Sequence, residues 1–381
     1  MPTRSDPPFK IIATDGDARA GVLYTPHGEI PTPVFAPVGT LGTVKALTTQ
    51  QLQQDIGATL ILANAYHLHL RPGAELVAEM GGLHHFMSWP RPILTDSGGF
   101  QIFSLAHDAE IDDAGATFRS HIDGSLVRLS PEDSIRIQQR LGADIIMCLD
   151  ECSIPNERER VAIAKKRTTV WARICRELHP DDDEQLLFGI VQGGIYADLR
   201  QQSVNELNEI GFPGYAIGGL AVGETKAEMH GVLEITLPLL PREKPRYLMG
   251  VGTPEDLLEG VRRGIDIFDC VLPTRLARHG SVLTEKGRLN LRNRDFRSDE
   301  TSISASCACT TCRQHSRAYL RHLIVSRELL AHTLLSIHNV YFLIQHMNQI
   351  RQAIADGNFA SYARSFLANY TQSNNASSLR E

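Results

Sequence analysis

The chain has 381 residues, 42% of them hydrophobic and 22% charged, which suits a globular protein with one large buried core plus an appendage and excludes a disordered or fibrous chain. No run of about 18 apolar residues occurs, and no apolar segment follows Met1-Pro2-Thr3-Arg4-Ser5-Asp6, so the expectation is a cytoplasmic protein with neither export nor membrane insertion. The net charge of −6 hides an asymmetry: residues 261–330 carry thirteen Lys and Arg against seven Asp and Glu, a local basic surface of the kind that nucleic acid requires.

Residues 9–31 read as an antiparallel meander that closes the bottom of the following domain. Eight short apolar runs then recur at 33–36, 59–63, 92–95, 144–149, 186–191, 215–218, 246–250 and 265–268, with helix-like stretches between them. Near-continuous apolar strands alternating with helices imply parallel strands buried on both faces, and eight of them suggest an α/β fold of the (β/α)8 TIM barrel type. An open doubly wound sheet is the weaker alternative, because no Gly-x-Gly-x-x-Gly follows the first strand. Helix starts are marked by Ser130-Pro131-Glu132-Asp133 and Thr253-Pro254-Glu255-Asp256, each with a capping hydroxyl, a Pro in the first turn and early acids. Residues 117–122 and 125–129, joined through Asp123-Gly124, read as a hairpin inserted at one face of the barrel.

Seven cysteines, an odd number, argue against a disulfide framework and for free thiols or a metal site. Cys307, Cys309 and Cys312 lie within six residues, and His338 follows on a helical stretch, which supplies four ligands for one tetrahedral, structural Zn2+ per subunit; His315, His322 and His332 compete for the fourth position. Cys148, Cys152, Cys175 and Cys270 lie in or beside barrel elements, where a small buried hydrophobe is the default. Arg313, Arg317 and Arg321 recur every four residues and are expected on one helix face; with Lys286, Arg288, Arg292, Arg294 and Arg297 they form a candidate phosphate-binding surface. The expected division is 1–32 for the meander, 33–275 for the barrel, 276–345 for a zinc-binding, basic subdomain, and 346–381 for a C-terminal helix whose tail from Thr371 is frayed.

Polar residues after barrel strands should meet at one mouth. Asp96, Asp150 with Cys152, Gln192-Gly193-Gly194, Gly218-Gly219-Leu220, Gly250-Val251-Gly252 and Asp269 follow strands three to eight. Two glycine pairs, an amide and three acids are the tools for reading a flat polar heterocycle. Asp269, held where a β-branched strand stops, is the first catalytic candidate, and Asp96 the second.

Asp96-Ser97-Gly98-Gly99-Phe100-Gln101, Asp150-Glu151-Cys152, Val191-Gln192-Gly193-Gly194, Gly218-Gly219-Leu220-Ala221-Val222-Gly223, Phe268-Asp269-Cys270-Val271-Leu272-Pro273-Thr274-Arg275 and the cysteine cluster resemble, in order, the tRNA-guanine transglycosylases, also called queuine tRNA-ribosyltransferases. His279 departs from the Asn usual there. The resemblance implies a zinc-bearing barrel that exchanges guanine at the wobble position of GUN anticodons, without backbone cleavage, in queuosine biosynthesis. It makes Asp269 the nucleophile on ribose C1′ and Asp96 the general acid/base, with a covalent enzyme-RNA intermediate as in a retaining glycosidase. It places the base between Phe100 and Met249, with Asp150 accepting from its N1-H and amine, Gln192 and the Gly219 amide donating to O6, and the Leu220 carbonyl receiving an aminomethyl group. Cys152 and Val222 match the bacterial pattern, whose incoming base is preQ1. Implied partners are the tRNA anticodon stem-loop, preQ1 or guanine, and a second copy of the chain. A retaining glycoside hydrolase and a non-catalytic tRNA-binding subunit are the rivals; two Trp in the whole chain argue against the first, and the retained Asp96, Asp150 and Asp269 against the second.

Overall fold

The computed structural model describes residues 7–105, 109–180 and 184–377. Eight strands form one parallel sheet: β1 (Val34–Pro37), β2 (Ile61–Ala63), β3 (Ile93–Thr95), β4 (Ile145–Met147), β5 (Leu186–Val191), β6 (Gly214–Ile217), β7 (Arg246–Leu248) and β8 (Ile267–Cys270). They are ordered β1-β8-β7-β6-β5-β4-β3-β2, and a parallel bridge between Val38 and Leu62 joins the two ends. Gly39 N donates to Leu62 O there at 2.6 Å, so the sheet closes into the expected barrel.

Strand period decides what fills it. Alternate side chains, Val34, Ala36, Leu62, Leu94, Ile145, Met147, Phe188, Ile190, Ala216, Tyr247 and Ile267, pack together in the barrel interior. The intervening set, including Phe35, Ile93, Ile146, Leu187, Tyr215, Leu248 and Phe268, packs outward against the helices. The N-terminal meander (Phe9–Asp15, Ala18–Thr25, Gly28–Thr32) sends Phe9, Leu23 and Ile30 into the interior cluster and so stoppers its lower end.

One charge pair ties the meander to the barrel. Arg19 Nε donates to Asp266 Oδ1 at 2.9 Å, a second guanidinium nitrogen reaches Asp266 Oδ2, and Arg19 also donates to the carbonyls of Arg242 and Lys244. Asp266, immediately before β8, accepts from Arg246 N at the start of β7 at 2.7 Å. Both side chains are buried, so every donor and acceptor here must be matched within the protein.

The helix signals hold. Ser130 and Asp133 form a capping box at the helix Pro131–Leu141, and Thr253 caps Pro254–Arg262 through Asp256 N. The inserted hairpin is present as Gly115–Arg119 paired with Leu126–Leu129, with a third strand, Glu110–Asp112, beside it. Its connection spans residues 120–125 rather than a tight Asp-Gly turn, because Asp123 turns its carboxylate onto Ser125 and Gly124 N bonds back to Ser120 O.

Helices run through the C-terminal end of the described residues. The helix carrying His338 runs unbroken from Leu329 to Ala355, so no boundary falls at 345–346. The last helix, Phe359–Ser377, continues into the segment expected to fray, of which residues 378–381 lie outside the described residues. Among the described residues no helix is long and apolar enough to cross a membrane.

Arg19→Ala should destabilise the fold by about 3–5 kcal/mol in urea unfolding, because it leaves Asp266 buried without its counter-charge, whereas Arg19→Met combined with Asp266→Leu should cost far less.

Candidate active site and metal centre

The inward phase of the strands continues to their ends and, in five of them, one residue beyond. Two residues beyond the interior side chains Leu62, Leu94, Ile190, Ala216, Tyr247 and Ile267 stand Asn64, Asp96, Gln192, Gly218, Met249 and Asp269. Period two therefore aims all six at the mouth. There a cavity of about 420 Å³ is lined by Asn64, His67, Asp96, Phe100, Gln101, Asp150, Cys152, Gly219, Leu220, Tyr247, Met249 and Asp269 among others.

Asp269 Oδ1 accepts from Tyr247 Oη at 2.6 Å and from Gly250 N at 2.8 Å, both on β7 or its end. Among the described residues Oδ2 has no protein donor. Burial raises the Asp269 carboxyl above its usual range, with the two donors opposing it. Burial, with the Asp269 charge adding to it, holds the Tyr247 phenol well above its ordinary value, so Tyr247 stays a donor.

Asp96 is more heavily braced. Its Oδ1 accepts from Ala65 N at 2.8 Å, and its Oδ2 from Gln101 Nε2 at 2.7 Å and from Asn64 Nδ2. Burial nevertheless pushes it up to about 6, with the charge of Asp269 acting in the same direction against the three donors.

Asp150 sits between Ser97 Oγ, 3.0 Å from Oδ1, and Gln192 Nε2, 2.7 Å from Oδ2. Its neighbour Glu151 turns away into an ion pair with Arg160 and Arg167, which relieves repulsion between adjacent acids. Gly99 is required because a Cβ there would lie 2.2 Å from the Asp150 carbonyl oxygen. Gly219, at φ +64°, backs onto Gln192 Oε1. Gln192 thus braces Asp150 and lies just behind the cavity wall, whereas Phe100, Met249, Cys152, Gly219 and Leu220 line it directly.

Sequence reasoning missed four supports. Asn64 follows β2 as Asp96 follows β3, so the strand-end rule could have found it; Tyr247 was recoverable from the inward phase of β7. Gln101 was visible only as part of a motif. Arg200, fully buried, donates to the carbonyls of Val191, Gly194 and Gly218 and so fixes the ends of β5 and β6; nothing in its helix marks it out. Burial lowers its guanidinium to about 9.

Cys307, Cys309 and Cys312 place Sγ atoms 3.7, 3.6 and 3.3 Å from His338 Nδ1. A tetrahedral site with Zn–S near 2.3 Å and Zn–N near 2.1 Å has S···N edges of about 3.6 Å, so the donor set fits. His338 Nε2 bonds to Leu283 O at 2.7 Å, which leaves the Nδ1 lone pair for a metal. Of the competing histidines, His315, His322 and His332 do not join this cluster.

The basic surface differs from expectation. The helix Thr310–Gln314 stops at His315, and Ser316 caps a new one, Arg317–Val325, so Arg313 does not share a helix with Arg317 and Arg321. Arg317 is tied inward to Asp299 and Ile303 O. Arg288 and Arg292 donate to Ser281 Oγ and His279 O, and Arg321 to Asn293 O, which orients those three side chains; Lys286 lies in the turn of the hairpin that carries Arg288.

The model of the family described as queuine tRNA-ribosyltransferase matches residues 15–372. A queuine tRNA-ribosyltransferase of Halothermothrix orenii is 55% identical over 354 residues, covering 93% of this chain and 94% of the relative. Those of Pelotomaculum thermopropionicum and Solidesulfovibrio magneticus are 55% and 54% identical, over 93% and 96% of this chain and 95% and 98% of their own lengths. With the barrel, the mouth and the metal cluster in their places, the chain belongs to the queuine tRNA-ribosyltransferase family.

Proposed function

We propose that this chain is a tRNA-guanine transglycosylase that replaces guanine at the anticodon wobble position with preQ1 by double displacement. The observation that carries this reading is the placement of two buried acids, Asp96 and Asp269, in one cavity at the barrel mouth, each held by several donors.

In the first displacement Asp269 Oδ2 attacks ribose C1′. The C1′–N9 bond breaks, its electron pair leaves with guanine, and Asp96 supplies the proton that neutralises the departing base. In the second, Asp96 takes the N9 proton of the incoming base, N9 attacks C1′, and the C1′–Oδ2 bond breaks to return the carboxylate. Two inversions retain the β configuration, and one glycosidic bond replaces another without an external energy source. The target base leaves the anticodon stack to enter the mouth and lies between Phe100 and Met249.

Asp150 accepts from the guanine-like N1-H and amine. Gln192, now bonded to Asp150, turns its amide toward O6 beside the Gly219 N-H when a base arrives, and the Leu220 carbonyl accepts the aminomethyl group of preQ1. Cys152, against the Asp150 carboxylate, keeps that wall compact. An adenine would leave these buried groups mismatched at about 1–3 kcal/mol each. Lys286, Arg288, Arg292, Arg313 and Arg321 meet the phosphates of the anticodon stem-loop, while Arg317 shapes the loop beside them. Cys307, Cys309, Cys312 and His338 hold one structural Zn2+, which fastens that surface to the helix Leu329–Ala355. The active form is a cytoplasmic homodimer.

Asp269→Asn should abolish both covalent capture of tRNA and labelled-guanine uptake; retention of either removes Asp269 as nucleophile. Tyr247→Phe deletes one hydrogen bond that favours the charged Asp269 carboxylate and should slow release of RNA from the covalent adduct by up to about 10- to 150-fold, the equivalent of about 1.5–3 kcal/mol, with tRNA affinity unchanged. Adduct formation in single turnover without an incoming base should fall as pH rises through about 6, since the protonated fraction of Asp96 drops there, and Asp96→Asn should leave a slow rate without that limb. Cys309→Ser should lose bound zinc and lower Tm together; normal metal content would count against the ligand assignment.

A further inference from the structure

We propose a second metal site, at the opposite end of the barrel from the mouth, formed by His27, His84 and Asp144 and suited to a divalent transition cation such as Co2+, Ni2+ or Zn2+. His27 lies in the turn that joins two strands of the N-terminal meander, His84 in the helix Gly82–Phe86, and Asp144 immediately before β4. Three segments remote in sequence thus converge on one carboxylate.

The geometry is specific. His27 Nδ1 lies 2.8 Å from Asp144 Oδ1, and His84 Nε2 lies 3.0 Å from Asp144 Oδ2. The two imidazoles stack with centroids 3.5 Å apart and planes 12° from parallel, so their nitrogens approach the carboxylate side by side, one to each oxygen. Adjacent ligands on an octahedral ion with bonds near 2.1 Å are about 3.0 Å apart, whereas tetrahedral N···O edges are about 3.4 Å. The observed spacings match the octahedral edge, with Asp144 chelating through both oxygens and the imidazoles beside them.

The carboxylate is fixed before any ion arrives. Oδ1 also accepts from His27 N at 3.2 Å and Oδ2 from Ile93 N at 2.8 Å, and the Asp144 side chain is fully buried. The His84 side chain is 12% exposed and that of His27 40% exposed, so the cluster opens to solvent on one side. Solvent can enter there and complete the coordination shell. Without a cation the same atoms form two hydrogen bonds. With one, each ring carries its proton on the far nitrogen and turns a lone pair inward. A cation held here would join the meander, the short helix and β4, a cross-link at the stoppered end of the barrel.

The test is Co2+ reconstitution of the full chain, with stoichiometry from equilibrium dialysis and elemental analysis and with an absorption spectrum at each addition. The expected result is two equivalents: one with the intense sulfur-to-cobalt charge-transfer band of a thiolate site, and a second that adds only weak visible bands. His27→Gln and His84→Gln should each keep the thiolate spectrum and weaken the second equivalent by about tenfold or more. Circular dichroism of the metal-free variants checks that each is folded, and the exposed His27 makes its variant the safer of the two. A single equivalent in the unaltered chain, or a second that survives in both folded variants, would overturn the proposal.

Discussion

The two-residue period of a β-strand is the constraint on which this molecule rests. In a closed barrel it sorts side chains into an interior set and a helix-facing set, and it cannot be interrupted without exposing one of them. The interior set is apolar up to the last turn of the strands and polar one step later, at Asn64, Asp96, Gln192 and Asp269. The mouth is therefore the continuation of the core by other residues, and the rigidity of the core passes directly to the acids. Had Asp269 stood one position earlier or later, the same strand would have pointed it at the helices.

Burying several charges at the ends of such a barrel is costly unless each is matched, and the structure matches them with different partners according to place. At the lower end Asp266 meets Arg19 and Asp144 meets two histidines, arrangements that leave each carboxylate surrounded. At the mouth Asp96 and Asp269 meet neutral donors from the backbone, an amide or a phenol. Neutral donors orient a carboxylate without cancelling its charge. Burial, with the charge of Asp269 adding to it, then brings Asp96 to about 6, where either protonation state is accessible.

Much of this was readable in the sequence because strand ends announce themselves. All eight apolar runs became barrel strands, and Asp96, Asp150 and Asp269 reached the mouth because each follows such a run directly. The cysteine cluster was equally legible, since three thiols so close together leave few other uses. What escaped was set by tertiary context. Arg200 looks like any helix arginine until the helix packs its guanidinium against three strand-end carbonyls. The pattern of arginines at 313, 317 and 321 suggested one face, but periodicity cannot see that Ser316 starts a new helix between them. Gln192 was expected to face the mouth, yet it lies behind the cavity wall with Asp150 as its partner.

The donors on Asp269 Oδ1 have a consequence for the balance of the proposed reaction. If Oδ2 forms the bond to ribose, Oδ1 becomes the carbonyl oxygen of an ester and keeps both Tyr247 and Gly250 as donors. Drawing electron density toward Oδ1 makes Oδ2 a poorer attacker and, in equal measure, a better group to expel. The barrier into the intermediate rises while the barrier out of it falls, so a single pair of hydrogen bonds guards against a dead-end adduct. An enzyme that must release its RNA intact gains more from that symmetry than from a faster first step.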